Sequence, residues 1–503
     1  MAQKLQNITI KAPSFKGLNT QDSPFDADPS YASVADNCVI DKYGRIGARK
    51  GFNTLTTDNS ALSSEYVRNL KEYEKVDGTR EIISVGNNKI FKGTTTLTDI
   101  TGAHAITDDD WQLISFNNDM YFIQRGYEPL VYNGTSVVAI SAHTGATGTA
   151  PVANCGTAAF GRLWLADTST NKSTVYWSDL LIGASWSGGT SGSIDLSKVW
   201  PDGYDEITAL TAHNGRLIIF GKRSIVIYSG AESPANMVLE DTITNVGCVQ
   251  RDSVQSIGTD LLFLSHTGVQ TLGRVIQERS LPINNVSRNV EDSVKDLINQ
   301  ETEYVKSVFS PENSFYLLYF PTANIVYVFD TKGFLENGGL RVTVWPDSPF
   351  KCFAVAEDSL LYVGGFSGIG TYSEYSDNNV AYPLRYYSNA ITFGDTSITK
   401  FLKRIVPTIV GGQSSTVTIK WGYDLQGTYY SFPLSIGDKN VSEYNVGEYG
   451  VAEYSGTGET VLRTAVNTTG SGTIVTIGIE AFIGSLPLSI QEFNIQALFG
   501  RML

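Results

Sequence analysis

Seven times between residues 82 and 372 the chain repeats one short pattern. A few apolar residues meet a polar Gly, Asn or Asp turn, and a second apolar run then ends in an aromatic and another turn. The pattern runs through 82–93 (IISVGNNKIFKG), 120–134 (MYFIQRGYEPLVYNG), 162–179 (RLWLADTSTNKSTVYWSD) and 216–230 (RLIIFGKRSIVIYSG). It continues through 261–273 (LLFLSHTGVQTLG), 314–330 (SFYLLYFPTANIVYVFD) and 360–372 (LLYVGGFSGIGTY). Successive starts lie 38, 42, 54, 45, 53 and 46 residues apart. A four-stranded propeller blade takes about 40–50 residues. Each hairpin is apolar on both faces, and an isolated hairpin is marginal in water. Stacking such sheets radially covers both faces and leaves only short edges. The expected fold is therefore all-β, a β-propeller of about seven blades with six or eight as alternatives. Stacked β-sandwiches would also space hairpins regularly.

Helical periodicity is scarce. The clearest case is 289–309, where Val290, Val294, Leu297, Ile298, Val305 and Val308 fall on one face of an expected helix. After Tyr386 the character changes to longer alternating strands at 391–393, 404–410, 417–423, 429–433, 461–465, 473–482 and 489–497. That pattern suits a β-sandwich or jelly-roll-like domain. The division is an extended N-terminal segment 1–60, a propeller 61–385 and a β-sandwich-like domain 386–503. Inside the last part Glu-Tyr pairs recur every five residues, at Tyr444, Tyr449 and Tyr454. Neither a strand nor a helix displays all three on one face. The tract reads either as a plain solvated loop or as one that offers Tyr and Glu to a partner.

Composition narrows the functions. The 503 residues carry 37 Lys/Arg against 51 Asp/Glu, a net charge of −14. Residues 1–52 hold seven basic against five acidic groups, and 386–503 hold seven against nine, so the acidity belongs to 53–385. A protein whose main task is gripping nucleic-acid phosphates is basic instead. Within the acidic background Lys42, Arg45, Arg49 and Lys50 form a small cluster with no acid between them. It reads as a solvated loop or as a contact for a partner's acidic surface. No apolar run approaches the roughly 20 residues of a membrane-spanning helix, and the first residues lack the apolar core of a signal peptide. Four scattered cysteines (Cys38, Cys155, Cys248, Cys352) read as free buried thiols of a reducing cytosol.

A search for chemistry finds no HExxH, no GxSxG elbow and no Walker A pattern. The glycines of 365–370 lack the strand-then-helix context of a phosphate cradle and read as a turn. Asp108, Asp109 and Asp110 are adjacent, a poor match to the alternating ligands of a calcium loop. Propellers that cleave glycans pair two carboxylates, but the SxDxGxTW box of sialidase-type blades is absent. The expectation is no catalytic residue, no cofactor and no metal.

One tract carries a resemblance. Residues 15–52 read FKGLNTQDSPFDADPSYASVADNCVIDKYGRIGARKGF. Gly17, Leu18, Asn19, Ser23, Pro24, Asn37, Gly44, Arg49, Gly51 and Phe52 are similar to the N-terminal signature of a family of tailed-bacteriophage tail proteins, the tail nozzle or packaged-DNA stabilisation group. Lys420-Trp421-Gly422-Tyr423-Asp424, Ser489-Ile490-Gln491-Glu492 and Gly500-Arg501 resemble the terminal domain of such proteins more weakly.

The resemblance implies a structural virion protein of a phage tail, assembled in the host cytoplasm. It would form a homohexameric nozzle ring in the head-tail connector complex, below the head-to-tail adaptor, and would support tail fibres or spikes. Double-stranded DNA would be retained in and ejected through the ring's lumen without specific binding. A lumen lined by some of the carboxylates of 53–385 would suit that passage. Residues 15–52 and 443–454 are the expected contact segments. The alternative is a carbohydrate-binding or glycan-cleaving propeller of the tail.

Overall fold

The computed structural model describes residues 5–26, 28–107, 110–200, 203–278, 285–412, 415–437 and 461–502. Six of the seven repeated hairpins are the middle pair of a four-stranded blade, and the one at 261–273 ends a three-stranded sheet. Four-stranded blades run consecutively through 69–99, 112–139, 155–195 and 207–243. A three-stranded sheet (255–271) follows, and then a fifth four-stranded blade, 306–345. The sixth takes three strands from 352–373 and its outermost from Gly51–Thr54. Among the described residues, then, the wheel has six four-stranded blades and one sheet of three strands. The first strand of each blade is innermost, and Asn69–Glu74 packs on Cys352–Val355 to close the circle.

Local chemistry fixes the hairpins. Asn87 and Asn88 both sit at positive φ (50° and 55°), as do Asn117 and Asn118 (46° and 70°). Paired left-handed residues make the type I′ turn, whose twist matches that of the strands it joins. The apolar residues on both strand faces then fill the spaces between blades. Tyr73, Ile83 and Val85 of the first blade meet Trp111, Met120 and Phe122 of the second. Trp164 and Trp177 meet Leu217 and Ile219 between the third and fourth.

Polar ties cross the same seams. Glu206, at the entrance to the fourth blade, accepts from Lys172 at 2.8 Å and lies 2.7 Å from Lys222. These hydrogen bonds, Lys172 first and Lys222 second, lower its pKa from 4.5 to about 2. A lowered carboxylate contributes stability above its unfolded value, and the contribution is lost as pH falls through the folded value. Glu206→Gln should therefore flatten the loss of stability between pH 4.5 and 2. Because both lysines are largely solvated, the cost near neutrality is about 1 kcal/mol. Urea midpoints measured across that range check both outcomes.

The expected helix over 289–309 is shorter. A turn of 3₁₀ helix at Arg288–Val290 leads into an α-helix at Glu291–Gln300, and Lys306–Ser310 is already the inner strand of the fifth blade. Glu301 stops the helix in extended backbone (ψ 128°), and its carboxylate accepts from the amides of Thr302 and Glu303. Val308 belongs to that inner strand, and Val305, just before it, packs with Val290 and Val294 in the C-terminal core.

The described residues of the expected extended segment 1–60 thread through both regions. Leu5–Lys11 pairs antiparallel with 492–498. Gly17–Leu18 lies parallel between Tyr31–Asp36 and the fifth blade's outer strand, Arg341–Trp345. Tyr31–Asp36 then pairs with Tyr382–Ser388, so one sheet of ten strands runs from the fifth blade into the C-terminal region. The boundary expected at 385/386 falls inside Tyr382–Ser388. Cys38–Ile40 and Ile46–Ala48 form a hairpin on the facing seven-stranded sheet, beside Leu488–Met502. Gly51–Thr54 finally crosses to the sixth blade. Between the two C-terminal sheets lies the largest core, where Tyr386 stacks on Phe493 at 6.0 Å and meets Phe15 edge-on. The four cysteines are buried free thiols.

Candidate functional site

The basic cluster divides in two. Arg49 is buried, which corrects its expected place at a contact surface. Its guanidinium grips Asp377 with two bonds of 2.8 and 2.6 Å, donates to Asn37 Oδ1 at 2.9 Å and lies 3.9 Å from the centre of the Tyr382 ring. Asn37 in turn donates to the Pro383 carbonyl at 2.7 Å. Asn37 and Arg49 thus form one polar knot between the N-terminal segment and the C-terminal sheets. Gly17 (φ +78°) lies so close to Val342 that a Cβ would sit 2.6 Å from its carbonyl oxygen. At Gly51 a Cβ would sit 1.8 Å from the Ser376 oxygen. Gly17, Asn37, Arg49 and Gly51 all serve to pack this segment against its neighbours.

Lys42, Arg45 and Lys50 line a cleft of 380 Å³ where this hairpin meets the fifth and sixth blades and the C-terminal sheet. Lys42 and Arg45 lie over the Tyr43 ring, at 5.0 and 4.5 Å, and Arg45 Nε donates to Gln491 at 2.6 Å. Lys50 stands 6.0 Å from the Tyr372 ring. Lys332 joins them from the fifth blade, donating to the Ile40 carbonyl at 2.8 Å and to Asp330 at 3.1 Å. Asp41 and Glu312 are the acids of the lining, so four cations face two anions in a chain of net charge −14. Burial pushes the Tyr372 hydroxyl well up, so it stays a neutral acceptor for the Lys50 amide at 3.0 Å. Lys332 and Glu312 lie more than 260 residues from the cluster, and no local pattern in the sequence points to them. Tyr444, Tyr449 and Tyr454 lie outside the described residues.

The wheel's axis is filled. Lys306 on the fifth blade's inner strand pairs with Asp252 at 2.9 Å and with Asp110 at 3.7 Å. Arg251 lies 3.3 Å from Asp252, donates to Asn154 at 2.8 Å and lies 4.0 Å from the Tyr304 ring centre. Burial alone would raise Asp252, but Lys306 and Arg251 outweigh it and hold the carboxyl below its usual range. Beside them lies a cavity of 180 Å³. Among the described residues, no group of three His, Cys, Asp or Glu side chains is placed to hold a metal ion, and no helix is long and apolar enough to cross a membrane.

A third feature is the free edge of the ten-stranded sheet. Its last strand, Tyr429–Ser435, pairs only with Thr416–Tyr423 among the described residues. Six of its seven residues are exposed, Tyr429, Tyr430 and Phe432 among them. Phe482 stands out two strands away, 72% exposed.

The chain is a β-propeller protein with a second β-layered region built onto it. Its sequence matches no family model and no curated protein. Among solved structures it is similar to YCF48 bound to D1 peptide, with a TM-score of 0.34 and 12% identity over 61% of this chain and 91% of that one. It is also similar to the WD40 β-propeller domain of Doa1, with a TM-score of 0.35 and 8% identity over 61% and 92% of the two chains. A third is Hsv2 of Kluyveromyces lactis, with a TM-score of 0.33 and 11% identity over 53% and 83%.

Proposed function

We propose that this chain is a structural subunit of a phage tail, assembling into a nozzle ring below the head-to-tail adaptor through which double-stranded DNA is retained and ejected. The observation that carries the reading is the edge strand Tyr429–Ser435, open on its outer side among the described residues, with its exposed aromatics. An open strand edge is a template for pairing with another chain, and aromatic residues are enriched in interface cores. Two further observations support it. The tail-protein signature is spent on fastening propeller to C-terminal sheets, which suits a part that bears load. The propeller axis is blocked by side chains, and a duplex whose major groove alone is about 12 Å wide has no passage there. The duplex path is therefore the hole of the oligomer, with carboxylates of 53–385 facing it.

The cleft of Lys42, Arg45, Lys50 and Lys332 serves the same assembly by receiving an acidic surface of the adaptor or of a fibre or spike protein. Reversing Lys42 and Lys50 to Glu should leave the urea midpoint nearly unchanged, since surface substitutions usually stay within about 0.5 kcal/mol. Association with that partner should slow about tenfold at low salt and lose its salt dependence, because rim charges act on the encounter rate. Stopped-flow association at several ionic strengths reads both.

Axial views of the purified protein by electron cryo-microscopy test the ring. A closed ring, six subunits by this reading, is expected. A lone 54.7 kDa chain at every concentration, turning over or binding a glycan, would replace the reading by the carbohydrate alternative.

A further inference from the structure

Among the described residues, the cations on the propeller axis outnumber the carboxylates paired with them. Three cations line the cavity there: Lys71 from the first blade, Arg251 from the segment before the three-stranded sheet, and Lys306 from the fifth blade. Lys306 and Arg251 are answered by Asp252 and, for Lys306, also by Asp110. Among the described residues, no carboxylate pairs with Lys71. Its ammonium donates to the Leu113 carbonyl at 3.2 Å, its one protein acceptor among the described residues. Glu72, next in the chain, turns its carboxylate to the Glu357 amide at 2.8 Å. The Cys352 thiol also lines the cavity, and burial pushes it far up, so it supplies no negative charge. Desolvation with no opposing charge lowers the Lys71 pKa. A cation held in a narrow protein cavity without a counter-charge is costly.

We propose that the axial cavity binds one compact oxyanion on the Lys71 ammonium. The cavity's 180 Å³ admits a small polyatomic ion with waters and is too small for a peptide or sugar chain. Two N–H groups of Lys71 remain for the ion once Leu113 has taken the third. Asp252 and Asp110 are already engaged by Lys306, so they leave a positive remainder and do not oppose entry. The ion would tie the first blade to the centre of the wheel. The proposal is independent of the ring, because the cavity lies within one chain.

The test is competitive acylation of lysines in the full chain, read by peptide mass spectrometry at constant ionic strength, with inorganic phosphate or acetate titrated against Hepes. Phosphate binding should cut the labelling of Lys71 about tenfold, as a rise of one pKa unit does for a free amine, with no change at Lys198. Protection by acetate at similar concentration would assign a general carboxylate or phosphate site, and protection by phosphate alone a phosphate site. Lys42→Ser with Lys50→Ser should keep the effect, which separates the axis from the basic cleft. In a second measurement, phosphate should raise the wild-type melting temperature, as a ligand of the native state must, and should leave that of Lys71→Met flat. Unchanged Lys71 labelling at every anion concentration, or equal melting shifts in wild type and Lys71→Met, overturns the proposal.

Discussion

Arg49→Met is expected to be among the most damaging single changes in this protein, costing about 3–5 kcal/mol, as breaking one side of a buried ion pair does. Arg49 is 2% exposed, and its loss strands the Asp377 carboxylate and the Asn37 side-chain oxygen together. It also removes the cation from the Tyr382 face at 3.9 Å and from beside Phe350 at 5.2 Å. Because the knot joins 37–50 to 377–383, the damage should spread to both regions. The urea midpoints of propeller and C-terminal region should fall together. Arg49→Met with Asp377→Leu should recover part of the loss, since an apolar pair of similar volume does not leave a buried charge unpaired. Midpoints followed by tryptophan fluorescence and circular dichroism check both variants.

Gly51→Ala should be comparably severe through sterics alone. The added Cβ would stand 1.8 Å from the Ser376 carbonyl oxygen, 2.3 Å from its carbon and 2.7 Å from its nitrogen, all backbone with no rotamer to yield. Gly51 opens the strand that completes the sixth blade, donating to the Glu374 carbonyl at 3.1 Å and pairing with Ser373. The strand must move away, and Phe52 leaves its place beside Phe350 and Phe315. Overpacking costs about 1–3 kcal/mol in a yielding core, and a rigid backbone obstacle puts this case at the upper end or beyond. A fall in the urea midpoint matching or exceeding that range is expected, with increased proteolysis at 49–54.

The propeller was legible because its information is local. Each hairpin lies within about 18 residues, and its turn is written in Asn, Asp and Gly that accept left-handed backbone. The strands after Tyr386 were legible by the same alternation, and Thr416–Tyr423 and Val475–Ile483 fall within a residue or two of the expected limits. What failed was non-local. Residues 5–54 carry proper strand patterns, but nothing in them says that their partners lie 300 to 490 residues away. Without those partners Arg49 looks like one more surface cation beside Lys50. The acidic cleft wall at Glu312 and the axial meeting of Lys71, Arg251 and Lys306 are likewise products of ring closure.

Residues 5–26 and 28–54 form a latch that makes wheel and layered sheets one mechanical body. Native-state hydrogen exchange measures this directly. The amides of Phe52 and Leu55, which donate to the Ser376 and Ile369 carbonyls, and those of Ile8 and Ile10, should exchange only through global unfolding, with the same free energy as the central strands of the blades. If they exchange by local opening, several kcal/mol more easily than Leu317 or Val363, the segment is a loose appendage and the latch does not exist.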